Sequence, residues 1–492
     1  MTAAHPFLAL DIGASSGRAM LAFPGDGPLE IREIHRFANG PVPLAGALYW
    51  DFLRIWANIL EALRKCAAAG FRELAGVGVD TWNVDFGLVD QRGDLVRNPL
   101  AYRSPQSAEA LAEIRSCIAE QDLYRITGFG CSPITGLARL LQLRRERGGA
   151  FLESVRLLPL PDLIRHFLCG SGDIEETVLW GTQLADIRAR SVSAVLVVAF
   201  GLPPGLLPPA VRGGAPAGGL LEEVRLATGI ERAPLFTVAG HDTMSAVLAG
   251  TGLCAGSETA CAMLCTGSWF ILGRLLQSPL TDPSCLARGF VNEIAPLGLT
   301  FFACNMMGFF LLEELMRQWR LSDPELSWTG LLREAADAPA FAASIDANDS
   351  AFFSSTNAAR SLDDYLARTG QPSPQGRGGV ARAVLEGLVV SCGRALAEME
   401  SLTGERIGRV VVLGGGAKNP LLCRMLADTL GCPVAVGPAE ATVLGNIGMQ
   451  MLGRGDLAGS GPLADLLARG FPLEMYKPAN RGPRQGRSER SG

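Results

Sequence analysis

FLALDIGASSGRAMLAF, residues 7–23, is the stretch whose reading decides the fold. Phe7 to Ile12 and Ala19 to Phe23 are two short apolar runs around a Gly/Ser-rich turn, which predicts strand, turn, strand. The same grammar returns at Ala262 to Leu264, Cys265-Thr266-Gly267-Ser268 and Trp269 to Leu272. A unit repeated near residues 13 and 267 predicts two related α/β domains joined near 245–255. Outward from these units, Trp50 to Ala69 carries apolar residues at helical spacing (Ile55, Ile59, Leu63). Leu74 to Val79 reads as a buried strand ending at Asp80, followed by a second strand from Val84 to Val89. Helical patterns fill much of 106–168, and the Pro/Gly-rich stretch 201–219 reads as an irregular loop. A short strand, Leu235 to Val238, runs into Gly240-His241-Asp242-Thr243. Helices are expected over Asn305–Arg320 and Val380–Leu402, with a polar stretch at about 340–380 between them. A closing unit follows: strand Arg409–Leu413, Gly414-Gly415-Gly416, Asn419 as N-cap before Pro420, helix Leu421–Leu430 and Gly431.

Composition narrows the class. At 492 residues the chain is long for one core, and its 48% hydrophobic content excludes disorder. The 59 glycines have no collagen period. A net charge of −5 without a basic stripe argues against nucleic acid as a partner. Lys65, Lys418 and Lys477 are the only lysines, so no G-K-[ST] phosphate loop exists. Twelve cysteines lie scattered without a C-x-x-C, which predicts reduced thiols and no zinc site. No basic segment precedes the first apolar run and no run approaches ~18 apolar residues. The expectation is a soluble cytoplasmic protein that does not engage a membrane.

Several constellations carry chemistry. Asp11, at a strand end before the Gly/Ser turn, suits a magnesium ion held through water, with the turn's backbone N–H groups facing an anion. A plain hairpin with Asp11 capping its own backbone fits the same residues. Gly13-Ala14-Ser15-Ser16-Gly17 also matches the G-x-S-x-G elbow of hydrolases, but an elbow needs a helix after it and a strand pattern follows here. Gly414-Gly415-Gly416 opens a helix as a dinucleotide fingerprint would, yet Asn419 stands at the third glycine position. The strip fits an adenosine or phosphate, and equally a tight packing turn. Asp242 suits a base that takes a proton from a substrate hydroxyl; N-capping is the alternative. His241 taken alone fits a packed, hydrogen-bonded imidazole. Asp80-Thr81-Trp82-Asn83-Val84-Asp85-Phe86 mixes a strand-end carboxylate with amide and aromatic groups as sugar sites do, although Trp82 fits a plain core position as well.

Taken in order, DIGASSGR, DTWNVDFGLVD, AYR, GHDTMSAV, TGSW, NMMG, LGGGAKNPLL and GPAEATVLGNIG resemble the FGGY carbohydrate kinases, over about residues 7–453. The resemblance implies two actin-like, RNase H-like α/β ATPase domains with a central interdomain cleft that closes on ATP, Mg²⁺ and a sugar. The N-terminal domain would span 1–250 and the C-terminal, ATP-binding domain 251–458, with a disordered basic tail over 478–492. By the same resemblance Ala14, Ser15, Ser16, Gly17 and Arg18 contact ATP phosphates. Gly267, Ser268, Glu313, Gly414, Gly415, Gly416 and Asn419 then serve the nucleotide. Asp242 becomes the general base, and Trp82, Asn83, His241, Thr243 and Asn305 join it around the sugar. The implied acceptor is the primary hydroxyl of a ketose, L-rhamnulose before another ketose or a polyol. The chain departs from the family pattern in three places: Asn83 replaces a glycine, Ser104-Pro105-Gln106-Ser107 lacks an expected Asp and Arg, and Glu313 replaces a glutamine. Non-catalytic sugar binding on the same scaffold is the alternative activity.

Overall fold

A computed structural model describes residues 5–25, 29–105, 108–254, 259–353, 357–470 and 474–479. Gln106, Ser107 and most of the expected tail lie outside them. The chain forms two compact units. The first takes Met1–Ala255, Leu275–Phe302 and Glu440–Pro472; the second takes Gly256–Arg274, Ala303–Ala439 and Leu473–Gly492. The sequence reading has one crossing near 250, whereas the chain crosses several times.

The first unit is built on a six-stranded sheet in the order Pro216–Gly219, Pro234–Phe236, Gly76–Thr81, Phe7–Ile12, Ser16–Phe23, Glu30–Ala38. Pro234–Phe236, Gly76–Thr81 and Phe7–Ile12 run parallel, and the opening hairpin continues them antiparallel. All six residues of Phe7–Ile12 are buried, as expected of a central strand that reads as one continuous apolar run. The helix Phe52–Ala68 starts where Asp51 accepts from Arg54 N at 3.1 Å and buries Ile55, Ile59, Ala62 and Leu63 along one stripe.

In the second unit the strands follow the order Thr300–Met307, Trp269–Leu276, Ala260–Thr266, Ile407–Gly414, Val434–Val436, Glu474–Tyr476. Ala260–Thr266 pairs antiparallel with its hairpin partner and parallel with Ile407–Gly414. Val434–Val436 adds a further parallel strand and Glu474–Tyr476 an antiparallel edge. This is the pairing grammar of the first unit again, so the repeat seen in the sequence is a repeat of sheet topology.

Four expectations are corrected. Residues 245–254 are not a linker, because Asp242–Cys254 is a helix whose small and apolar residues are nearly all buried, and residue 255 lies outside the described residues. Asn305 does not begin a helix: it lies on the strand Thr300–Met307, and the helix starts at Phe310. Run-on apolar residues from Phe301 through Leu312 conceal that boundary. The loop 201–219 closes on an edge strand, Pro216–Gly219, and the polar stretch holds the helix Ala358–Thr369.

The helix Ala441–Arg454 ties the first unit together. Asn446 Nδ2 donates to Asp80 Oδ2 at 2.6 Å, and Gln450 Nε2 donates to the Leu8 carbonyl at 3.0 Å. Gly445 lets this helix lie against Asp242–Cys254, since a methyl there would come 1.7 Å from the Ser245 carbonyl oxygen. Two backbones cannot yield as a side-chain tip does. Gly445→Ala is therefore expected to cost ~3 kcal/mol, the upper end for overpacking, read as a fall in the urea midpoint. A midpoint within error of the parent would refute the close approach.

Candidate active site

Neighbouring parallel strands of the first unit bring their carboxyl ends together, where open α/β sheets bind ligands. Asp11 stands opposite Asp80 in register, and Thr81 bridges to His241, its amide donating to the Gly240 carbonyl at 2.9 Å. Asp242 follows as the first residue of its helix. Burial raises all three carboxyls; Asp11 adds to the rise at Asp80 and Asp242, Asp242 adds to it at Asp80, and Glu440 adds to it at Asp11. Asp80 is driven well above the usual range, with Asn446 and Arg18 opposing. Its Oδ1 is buried without a hydrogen-bond partner among the described residues.

Relief for Asp11 comes from Arg18 across the hairpin, at 2.5 Å, and Arg18 also pairs with Glu440. The connection Gly13-Ala14-Ser15 is closed by Gly13 N donating to the Ser16 carbonyl at 2.9 Å. Gly17 has no room for a side chain, because a methyl would strike the Phe37 ring.

Asp242 keeps 31% of its side chain open, and its Oδ1 accepts from Thr243 N at 2.6 Å. Burial raises its carboxyl; His241, 3.6 Å away, and Thr243 work against that. The His241 imidazole is buried with Nδ1 3.2 Å from Glu293 Oε2. Burial alone would lower its basicity, but Glu293 outweighs it and Asp242 adds to the rise. Such a carboxylate, half-shielded at a helix start beside a basic imidazole, can accept a proton from a hydroxyl placed against it.

Asn83 is buried and spends its amide on protein: Oδ1 accepts from Val84 N at 2.7 Å, and Nδ2 donates to the Thr177 carbonyl at 3.4 Å. It fits only because residue 181 is glycine, where a methyl would lie 2.0 Å from Asn83 Oδ1. Trp82 is no open platform. It is 7% exposed, its ring sits 4.1 Å from that of Trp50, and both indole N–H groups donate to Asp85 Oδ2, at 2.8 and 2.6 Å.

The second unit gathers the other expected residues at the ends of Ala260–Thr266 and Ile407–Gly414. Ser268 Oγ donates to Glu313 Oε2 at 2.7 Å, and Gly308 N and Phe309 N donate to the carbonyls of Ser268 and Gly267, each at 2.9 Å. Thr266 Oγ1 accepts from Gly416 N at 2.8 Å and donates to the Leu413 carbonyl at 2.5 Å. Gly414 has φ +82°, and a methyl there would come 2.5 Å from the Thr266 carbonyl oxygen, so glycine is required. Asn419 caps the helix Pro420–Leu430 by accepting from Leu422 N at 3.1 Å. Asn305 Oδ1 is buried without a partner among the described residues.

The expected residues thus fall into two groups, one in each unit. Sequence reasoning flagged Asp80 as a strand-end carboxylate of a sugar site and missed its place beside Asp11; it also missed Glu440 and Asn446 inside the quoted GPAEATVLGNIG. Glu175, Thr177 and Glu293 carry no local signal.

A divalent cation fits the carboxylates of the first unit. Asp11 and Asp80 are buried, adjacent and mutually repelling, with an orphaned oxygen on Asp80. Among the described residues no three His, Cys, Asp or Glu groups converge to hold a metal directly, so the fit is to a hydrated ion.

The N-terminal domain profile of the FGGY family of carbohydrate kinases matches residues 7–249, and the C-terminal domain profile matches residues 262–453. The chain belongs to the FGGY family of carbohydrate kinases, and it is a sugar kinase with that family's two-domain, actin-like fold. It is 32% identical over 472 residues to a rhamnulokinase of Bacteroides thetaiotaomicron, covering 96% of both chains. A rhamnulokinase of Enterococcus faecalis is also 32% identical, over 96% of this chain and 94% of that one. Among solved structures, xylulose kinase from Rhodospirillum rubrum superposes with a TM-score of 0.75 at 20% identity, over 96% of this chain and 94% of that one. Among the described residues no helix is long and apolar enough to cross a membrane.

Proposed function

We propose that the protein transfers the γ-phosphoryl group of ATP to the C1 hydroxyl of L-rhamnulose, giving L-rhamnulose 1-phosphate in L-rhamnose breakdown. The observation that carries this reading is the position of Asp242, a partly open carboxylate beside His241 at the carboxyl end of the first unit's parallel strands. The names of the curated relatives supply the sugar. Asp242 accepts the hydroxyl proton as the sugar oxygen bonds to the γ-phosphorus; the bond from that phosphorus to the β,γ-bridging oxygen breaks, and ADP leaves. His241 and Thr243 orient the acceptor and Asn305 offers its unpartnered carbonyl oxygen, while Trp82 and Asn83 shape the wall behind. Backbone amides of Ala14, Ser15, Ser16 and Gly17, with the guanidinium of Arg18, face the phosphates. Gly267, Ser268, Glu313, Gly414, Gly415, Gly416 and Asn419 receive the nucleotide. Asp11 and Asp80 hold hydrated Mg²⁺, which when bound supplies neutralising charge to the phosphates. The domain roles are sugar and base for the first unit, nucleotide for the second. The twelve free cysteines suit a reducing, cytoplasmic setting.

A second reading, another ketose as acceptor, is favoured by Asn83, whose side chain fills the space beside His241. An ADP-release assay across L-rhamnulose, L-fuculose, L-ribulose, xylulose and glycerol decides between them. The highest kcat/KM is expected with L-rhamnulose. A tenfold preference for another of these selects the second reading, and no ADP release with any of them refutes the kinase of ketoses altogether.

A further inference from the structure

Two consecutive peptide N–H groups directly before Asp242 are held by side chains rather than by strand pairing. The strand Pro234–Phe236 has ended by this point, so the amides of Gly240 and His241 need other acceptors. Gly240 N donates to Glu175 Oε2 at 3.0 Å, and His241 N donates to Thr177 Oγ1 at 3.2 Å. Glu175 Oε2 also accepts from Thr177 N at 2.9 Å and from Thr177 Oγ1 at 2.5 Å. The threonine hydroxyl therefore has one possible orientation: it gives its proton to Glu175 and turns a lone pair to His241. Both side chains are buried, 1% exposed each. Thr177 also uses its carbonyl, which accepts from Asn83 Nδ2.

We infer that Glu175 and Thr177 are positioning residues that aim Asp242. This rests on the reading of Asp242 as the base. The backbone at 240–241 sets where the carboxylate leaves the helix start, since its own side chain is already fixed by Thr243 N. Neither residue touches a reacting atom. Their effect passes through two hydrogen bonds to the chain that carries Asp242, and a displacement of about 1 Å at a reacting group is enough to cost ~100-fold in rate.

The test compares Thr177→Val, which keeps the shape and loses both hydrogen bonds, with Thr177→Ser, which keeps the hydroxyl. In the valine variant kcat for sugar phosphorylation is expected to fall ~10- to 100-fold with the KM for ATP within about twofold of the parent. The serine variant returns kcat to within about threefold of the parent. Glu175→Met, similar in length without an acceptor, lowers kcat in parallel, and Glu175→Gln, which keeps one acceptor oxygen, does not. Hydrogen exchange across 236–245 gives a readout independent of turnover: the Gly240 and His241 amides exchange faster in Thr177→Val and Glu175→Met only. Parent-like kcat and unchanged protection in those two variants would overturn the inference, as would a loss that serine fails to restore. Asp242→Asn in the same assay separates the readings. If it stays active the base assignment fails; if it is inactive while Thr177→Val is normal, the clamp fails alone.

Discussion

Asp242→Asn is expected to lower kcat for sugar phosphorylation by about a thousandfold, within the range that a positioned general base contributes. The substitution is a clean one. The introduced asparagine can still accept from Thr243 N through its amide oxygen, so the helix start and its surroundings stay as they are. What disappears is the site that holds the proton of the attacking hydroxyl. ATP binding, measured by titration, should change by less than about threefold, because the nucleotide contacts are proposed elsewhere. The parent's pH profile carries a second signature. The ionised carboxylate is the active form, so kcat/KM rises as pH climbs through the Asp242 pKa, which burial places above the ordinary 3.8. That acid limb is expected to vanish in the asparagine variant. Activity above a few per cent of the parent, with the limb intact, would remove Asp242 from the role.

The second large effect concerns stability. Asp85 and Arg139 form an ion pair at 3.0 Å with both side chains at or below 2% exposure. Burial raises the carboxyl and lowers the guanidinium, so at each partner desolvation outweighs the attraction of the other. Such a pair gives little net stability, yet removing one member leaves the other charged and stranded. Asp85→Asn is therefore expected to cost ~3–5 kcal/mol. The asparagine oxygen can still accept the two indole N–H groups, which isolates the loss to the uncompensated charge of Arg139. Arg139 would keep two backbone acceptors, the Ile134 carbonyl at 2.9 Å from NH1 and the Val84 carbonyl at NH2, but neither carries a counter-charge, and its Nε is unpartnered among the described residues. Adding Arg139→Met should recover most of the loss, a coupling that denaturation of the two single variants and the double variant measures directly. If Asp85→Asn alone stays within about 1 kcal/mol of the parent, the pair is not the buried, charged couple described here.

These two residues also show what the sequence makes readable. Asp242 stands out because a strand pattern, a glycine and a helix pattern converge on it within a few positions. The repeated strand–turn–strand grammar is legible for the same reason: turn glycines and short apolar runs are local signals. Asp85, by contrast, looks like any acid in DTWNVDFGLVD, and its partner Arg139 lies far along the chain. Glu175, Thr177 and Glu293 are likewise defined by what they face, which spacing does not encode. Asn305 is hidden by apolar residues that run almost unbroken from strand to helix. The segment 245–255 misleads in the opposite sense, since small residues that suit a flexible joint suit tight helix packing equally well.

The helix Ala441–Arg454 belongs to the first unit although most of the second unit precedes it in the chain. During synthesis the opening sheet thus emerges from the ribosome early but must wait for almost the whole chain before Asp80 meets Asn446 and Leu8 meets Gln450. A nascent chain halted near 250 would hold a buried carboxylate with no amide to receive it. The N-terminal half is a poor candidate for separate expression, and a chaperone would find its longest opportunity in that interval.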